Sequence, residues 1–201
     1  EGLGYERYWV AEHHSLPSLA ATSPEILIGQ IAARTERIRV GSGGVMLLHY
    51  SAFKVAENFR MLESLYPGRI DLGLGRAPGG DPRTAQALAY PAPPRDARYY
   101  PELVDDLIGY LGDSIEPGHP FHGLRVGPTE AGMPTVWLLG SAVGSAQLAA
   151  ERGLPFSYAH FFGTSTAQGP AIVEHYRRHL KASTLCPEPR VNVALSVFCA
   201  E

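Results

Sequence analysis

Six short apolar runs, rich in β-branched and aromatic residues, punctuate the chain. They lie at 7–11 (RYWVA), 38–46 (IRVGSGGVM), 70–74 (IDLGL), 135–139 (TVWLL), 155–160 (PFSYAH) and 191–199 (VNVALSVFC). Runs of this length and composition predict strands, and several are apolar almost throughout, as in a parallel sheet covered on both faces. Between them apolar positions recur at helical spacing. Ser23-Pro24-Glu25 is a start signal of cap residue, first-turn proline and acid, and Leu27, Ile28, Ile31 and Ala32 follow as an apolar face up to about residue 34. Val55, Phe59, Leu62 and Tyr66 predict a second helix closed by Pro67-Gly68, and Leu103, Leu107, Tyr110 and Leu111 a third beginning near Pro101. A small-residue helix over 141–152 stops at Gly153, and Val173, Tyr176 and Leu180 mark a fifth over 170–181.

Strand and helix therefore alternate, which predicts parallel strands joined by crossover helices. Both a doubly wound sheet and a (β/α) barrel satisfy that order. The one long interruption, 77–134, carries the third helix, Pro/Gly-rich stretches at 77–82 and 91–94, and a polar excursion at 117–134. It reads as an insertion in a single domain.

Composition narrows the function classes. Of 201 residues, 45% are apolar and 18% charged, a balance that excludes disorder. A formal net charge of −3 argues against a basic nucleic-acid binder. Cys186 and Cys199 are the only cysteines, which excludes a disulfide framework and a cysteine-rich zinc site. Neither cysteine has a partner base nearby in sequence. No apolar run reaches the ~18 residues of a membrane span, and no signal peptide is visible, so the expected location is the cytoplasm.

Four features could carry chemistry. Glu12-His13-His14 ends the first predicted strand, where parallel α/β folds collect ligands, and histidine there can act as base, acid or donor; loop histidines satisfied by backbone are the alternative. Adjacent histidines do not readily face one metal, so no metal site is predicted. Gly43-Gly44 inside a strand reads as a bulge, as close approach of a ligand to the backbone, or as a flexible strand end. The run GLGRAP at 73–78 places Arg76 at a strand's carboxyl end, where a guanidinium can pair with phosphate. It fails the dinucleotide fingerprint because Pro78 stands at the third glycine and no helix is expected to follow directly. The run LGSAVGS at 139–145 joins a strand to a helix. Its amides and the Ser141 and Ser145 hydroxyls suit a phosphate. The alternative is a plain cap, with Gly144 letting the helix approach the sheet.

In series, YWVAEHH at 8–14, IRVGSGGVML at 38–47, YPGRIDLGLGRAP at 66–78 and VWLLGS at 136–141 resemble the bacterial luciferase-like flavin monooxygenases, in order and spacing, across nearly the whole chain. The resemblance implies a (β/α)8 barrel, usually dimeric, that uses reduced FMN and O2 to oxidise a small aldehyde- or ketone-like substrate. A flavin reductase is the implied partner. F420-dependent hydride transfer on the same barrel and a non-catalytic flavin-binding relative are the rival readings. By resemblance, His13 matches the histidine beside the flavin ring, and Gly43-Gly44 the segment under the ring that often carries a cis peptide bond. Arg76 and Arg98 match phosphate-side arginines, and Gly140, Ser141, Gly144 and Ser145 the phosphate-binding turn.

Two departures stand out. Gly75 replaces the reactive cysteine of bacterial luciferase itself. Leu47-Leu48-His49-Tyr50 replaces a proline and an Asn-His pair, which would set Tyr50 over the flavin. A barrel of this kind needs ~250 residues and eight strands. Six strands here predict a partial barrel lacking its first strand-helix unit and its last part, with poor solubility or association if produced alone.

Overall fold

A computed structural model describes residues 1–76, 78–161 and 166–195. The chain divides into two compact units, 1–135 and 136–201.

In the first unit, β1 (Arg7–Val10), α1 (Pro24–Ala32), β2 (Arg39–Met46), α2 (Ala52–Leu65), β3 (Ile70–Gly75), α3 (Pro82–Ala89) and α4 (Tyr100–Leu111) follow in order. β1 pairs with β2 and β2 with β3, both parallel, with Arg7 opposite Arg39 and Val40 opposite Ile70. Every residue of β3 is buried, as its continuous apolar run predicts. Ile28 of α1, Phe59 of α2, and Val104 and Leu107 of α4 lie in the core with Val40, Leu72 and Leu74. Each such side chain contributes about 1.5–3 kcal/mol by leaving water.

The second unit continues the alternation with β4 (Thr135–Gly140), α5 (Val143–Glu151), β5 (Phe156–Ala159), α6 (Gly169–His179) and β6 (Val191–Ala194). β5 pairs in parallel with β4 and with β6. The small residues predicted for α5 are a packing face: Ala146, Ala149 and Ala150 are fully buried. Gly153, at φ +60°, ends the segment as expected. Tyr176 of α6 is buried and donates its hydroxyl to the Leu154 carbonyl at 2.9 Å. The predicted strand over 191–199 is seen as far as Ala194; its end, with Cys199, lies outside the described residues.

One helix is added to the expected order, and two expectations need correcting. No helix follows the 73–78 run directly, as expected, but an unpredicted one, α3, begins at Pro82. Asp81 caps it by accepting the Thr84 amide at 2.8 Å, and Pro82 opens it; its apolar stripe of Ala85, Leu88 and Ala89 is short, and none of its residues is buried. Ser23 precedes α1 without a side-chain cap bond. Nor does serine open α5: Ala142 is its N-cap residue.

Two buried acids anchor the first unit. Asp71 on β3, fully buried, receives Arg7, Trp9 and Arg39. Glu63 on α2 is also buried; its Oε1 accepts the Gly68 amide at 2.5 Å, while Oε2 has no partner among the described residues. Burial pushes the Glu63 pKa up, outweighing the Gly68 bond and the Arg39 charge, which pull it down. The fold therefore holds this proton more tightly than the unfolded chain does. The associated stability is full below the ordinary carboxyl pKa of about 4.3 and is lost as pH rises through the higher folded value. Glu63→Gln removes that loss. Urea midpoints should move in the variant's favour between about pH 4 and about pH 7; an unchanged difference between the two proteins would contradict this assignment.

Candidate active site

The carboxyl ends of the parallel strands present the candidate residues. Beyond β1 the chain stays extended, held by the His13 amide on the Ala21 carbonyl and the His14 amide on the Gly79 carbonyl, each at 2.9 Å. Glu12 and His14 are buried, while His13 between them is half-exposed. The His13 ring makes no hydrogen bond to a described residue. Around Glu12 lies an array that no sequence motif announces. Its Oε1 accepts the Tyr50 hydroxyl at 2.8 Å and bonds His14 Nε2 at 2.7 Å, and its Oε2 accepts the Met46 amide at 3.0 Å. Tyr50 lies 38 residues from Glu12, so only the fold brings them together. The Tyr50 hydroxyl is thus committed to Glu12.

At β2 the pairing with β3 shifts register between Ser42 and Val45, so of the three readings of Gly43-Gly44 the bulge is present. The Gly43-Gly44 peptide bond is cis. A Cβ on Gly44 would stand 2.7 Å from the Gly73 carbonyl oxygen, so the packing of β2 on β3 by itself requires glycine there.

Arg76 follows β3 directly, is exposed, and makes no hydrogen bond or ion pair to a described residue. Its charge reaches Tyr100 at the start of α4. Tyr100 is buried and its hydroxyl has no partner among the described residues. Burial pushes that phenol's pKa up against the pull of Arg76, so it is a protonated donor. Sequence reasoning passed over Tyr100 because its ring reads as core. Arg98 is exposed, 3.7 Å from Asp96 and 5.1 Å above the Tyr99 ring, so it is already engaged locally.

In the second unit, β4 ends at Gly140 and α5 begins two residues after Ser141. A Cβ on Gly140 would fall 2.2 Å from Ser145 Cβ, so glycine lets the first turn of α5 fold back over the strand end. Ser141 and Ser145 are half-exposed. No side chain caps the helix, and the Val143 and Gly144 amides find no acceptor among the described residues. A Cβ on Gly144 would meet nothing within 4 Å. Gly144 therefore does not serve close packing on the sheet, which corrects the alternative reading of that glycine. Free amides at a helix start with open space before them suit an anion.

The sequence model of the luciferase-like monooxygenases matches residues 1–201. The chain belongs to the luciferase-like monooxygenase family. Among its relatives in this family, Bacillus subtilis YwcH is 53% identical over all of this chain and 60% of its own length. The N-acetyl-S-alkylcysteine monooxygenase of the same organism is 44% identical over all of this chain and 59% of its own. The chain thus spans about 60% of the length of these relatives. Apo-MsnO8 superposes with a TM-score of 0.84 at 45% identity, covering 95% of this chain and 55% of that one. The likeness extends at fold level to the oxygenating component of Pseudomonas putida 3,6-diketocamphane monooxygenase, solved with FMN (TM-score 0.69, 18% identity, 100% and 59% covered). It extends likewise to an F420-dependent secondary alcohol dehydrogenase (TM-score 0.71, 14% identity, 96% and 60% covered). The six strands and the helices between them are therefore part of a (β/α)8 barrel. No described helix is long and apolar enough to cross a membrane.

Proposed function

We propose that the protein is a flavin-dependent monooxygenase that uses reduced FMN and O2 to oxidise a small organic substrate, aldehyde- or ketone-like. The observation that carries this reading is the family match over all 201 residues, supported by a donor set that fits a phosphorylated flavin. The uncapped start of α5, the open space at Gly144 and the unengaged Arg76 all suit an anion.

In this reading Gly140, Ser141, Gly144 and Ser145 bind the flavin phosphate through amides and hydroxyls, with Arg76 and Arg98 as its arginines. The Gly43-Gly44 backbone underlies the ring, and the unbonded His13 ring is free to hold or move a proton beside it. When bound, reduced FMN supplies the electrons that activate O2, and the protein's share is binding, orientation and exclusion of water. A flavin reductase as electron source, a homodimer as the working assembly and the cytoplasm as location belong to the same proposal.

F420 is the second reading, favoured by the fold-level likeness to the F420-dependent dehydrogenase. Titrating the complete protein with oxidised FMN, reduced FMN and F420 decides between them. The proposal expects micromolar binding of reduced FMN and substrate-dependent O2 consumption. Tight F420 binding without FMN binding would overturn it in favour of hydride transfer. FMN retention without substrate-dependent O2 or NAD(P)H consumption would favour a non-catalytic flavin binder.

A further inference from the structure

Glu12 is 1% exposed, and a carboxylate so deeply buried is tolerated only when its oxygens are satisfied. Three elements supply its donors: the Met46 amide at the end of β2, the Tyr50 hydroxyl before α2, and His14 beyond β1. An ionised carboxylate only accepts, so the bond to Glu12 calls for a proton on His14 Nε2. Burial and the Glu12 charge push the Tyr50 pKa up, so Tyr50 stays a donor. His49, edge-on to His14 with ring centres 6.0 Å apart, is committed to the Pro78 carbonyl at 2.7 Å and offers Glu12 no competing bond. Glu25 on α1 is the other acid whose charge reaches Tyr50.

We infer that Glu12 is a positioning residue: held by Tyr50 and the Met46 amide, it fixes the proton of His14 on Nε2 and anchors the segment that displays His13. Removing its carboxylate frees the His14 tautomer and loosens the residue on either side of His13 at once. The ring proposed to move a proton is His13, and its placement follows that of its two neighbours, which the Glu12–His14 bond holds together. The inference rests on the proposed flavin chemistry only for its effect on rate.

The test uses the complete protein labelled with 15N-histidine. Without flavin, proton–nitrogen NMR should show the His14 ring as the Nε2–H tautomer, and Glu12→Ala should lose that preference. With FMN, the oxidation rate of the bound reduced cofactor should fall by about 10- to 100-fold in Glu12→Ala while FMN affinity stays within about threefold. Tyr50→Phe, which keeps the acceptor, should preserve the tautomer, shift the His14 nitrogen signals and slow the reaction by about threefold. An Nδ1–H tautomer in the natural protein, or a tautomer indifferent to Glu12, would overturn the inference. So would unchanged rates in both variants. If Glu12→Ala does not fold, the natural tautomer and Tyr50→Phe decide, with unaltered His14 signals in Tyr50→Phe counting against the lock. Failure of FMN to bind the natural protein would overturn the flavin reading while the tautomer result stands by itself.

Discussion

Asp71→Ala is expected to cost about 3–5 kcal/mol of folding stability, a large share of the roughly 5–15 kcal/mol a domain possesses. Asp71 is fully buried on β3. Its Oδ2 accepts Arg7 Nε at 3.0 Å and Trp9 Nε1 at 2.9 Å, and its Oδ1 accepts Arg39 Nε at 2.8 Å, with Arg39 Nη2 2.6 Å away as an ion pair. One carboxylate thus joins three adjacent strands near their amino-terminal ends, where a barrel places residues that serve stability and not chemistry. Removing it leaves two guanidiniums and an indole N–H without their shared acceptor. The arginine side chains are only 27% and 23% exposed, so water replaces that acceptor in part. Trp9→Phe removes one bond of the set and should cost about 1.5–3 kcal/mol, less than the loss of the carboxylate. Urea unfolding of the complete protein measures both. A loss below about 1 kcal/mol for Asp71→Ala would class the cluster with exposed ion pairs and refute the assignment.

Parallel strands were legible because burial on both faces writes itself as an unbroken apolar run. β3 is the clearest instance: a run predicted at 70–74 is a strand over Ile70–Gly75, buried at every position. The helices α1, α2, α4 and α6 were legible for the companion reason, since each turns a periodic apolar face to the core. α3 was not, because its apolar stripe of Ala85, Leu88 and Ala89 is short and none of it is buried. Its Asp81-Pro82 start was the available signal, hidden among prolines and glycines.

The site divides along the same line. Features confined to a few consecutive residues, such as the β4–α5 turn and the Gly43-Gly44 irregularity, could be read from spacing. The Glu12, His14, Met46 and Tyr50 array could not, because it joins residues up to 38 positions apart and its partners are ordinary in sequence. Tyr50 illustrates the difficulty. As a departure from the family pattern it suggested a change over the cofactor, yet its hydroxyl turns to a buried carboxylate. The orphaned Tyr100 hydroxyl shows the converse, since a buried tyrosine looks like core until its oxygen is found without a partner.

Gly144→Asp separates the two readings of the β4–α5 turn, because it moves stability and cofactor affinity in opposite directions. The site has room, since a Cβ there meets nothing within 4 Å and Gly144 is exposed. A carboxylate in the first turn of α5 faces amides that no side chain caps, an arrangement that favours the helix by about 0.3–1 kcal/mol. Replacing a helical glycine by aspartate adds only about 0.1–0.3 kcal/mol in the same direction. The thermal midpoint of the complete protein should therefore rise or hold. The same carboxylate repels a bound phosphate. Two unit charges about 6 Å apart at an effective dielectric of about 20 interact by about 2–3 kcal/mol, which weakens binding roughly 30- to 100-fold. FMN titration of the variant measures that loss. A plain capped turn predicts the gain in stability with FMN affinity unchanged, and that result would remove α5 from the cofactor site. Because F420 also carries phosphate, the loss is expected for either cofactor, so the measurement tests the turn independently of which one the barrel takes.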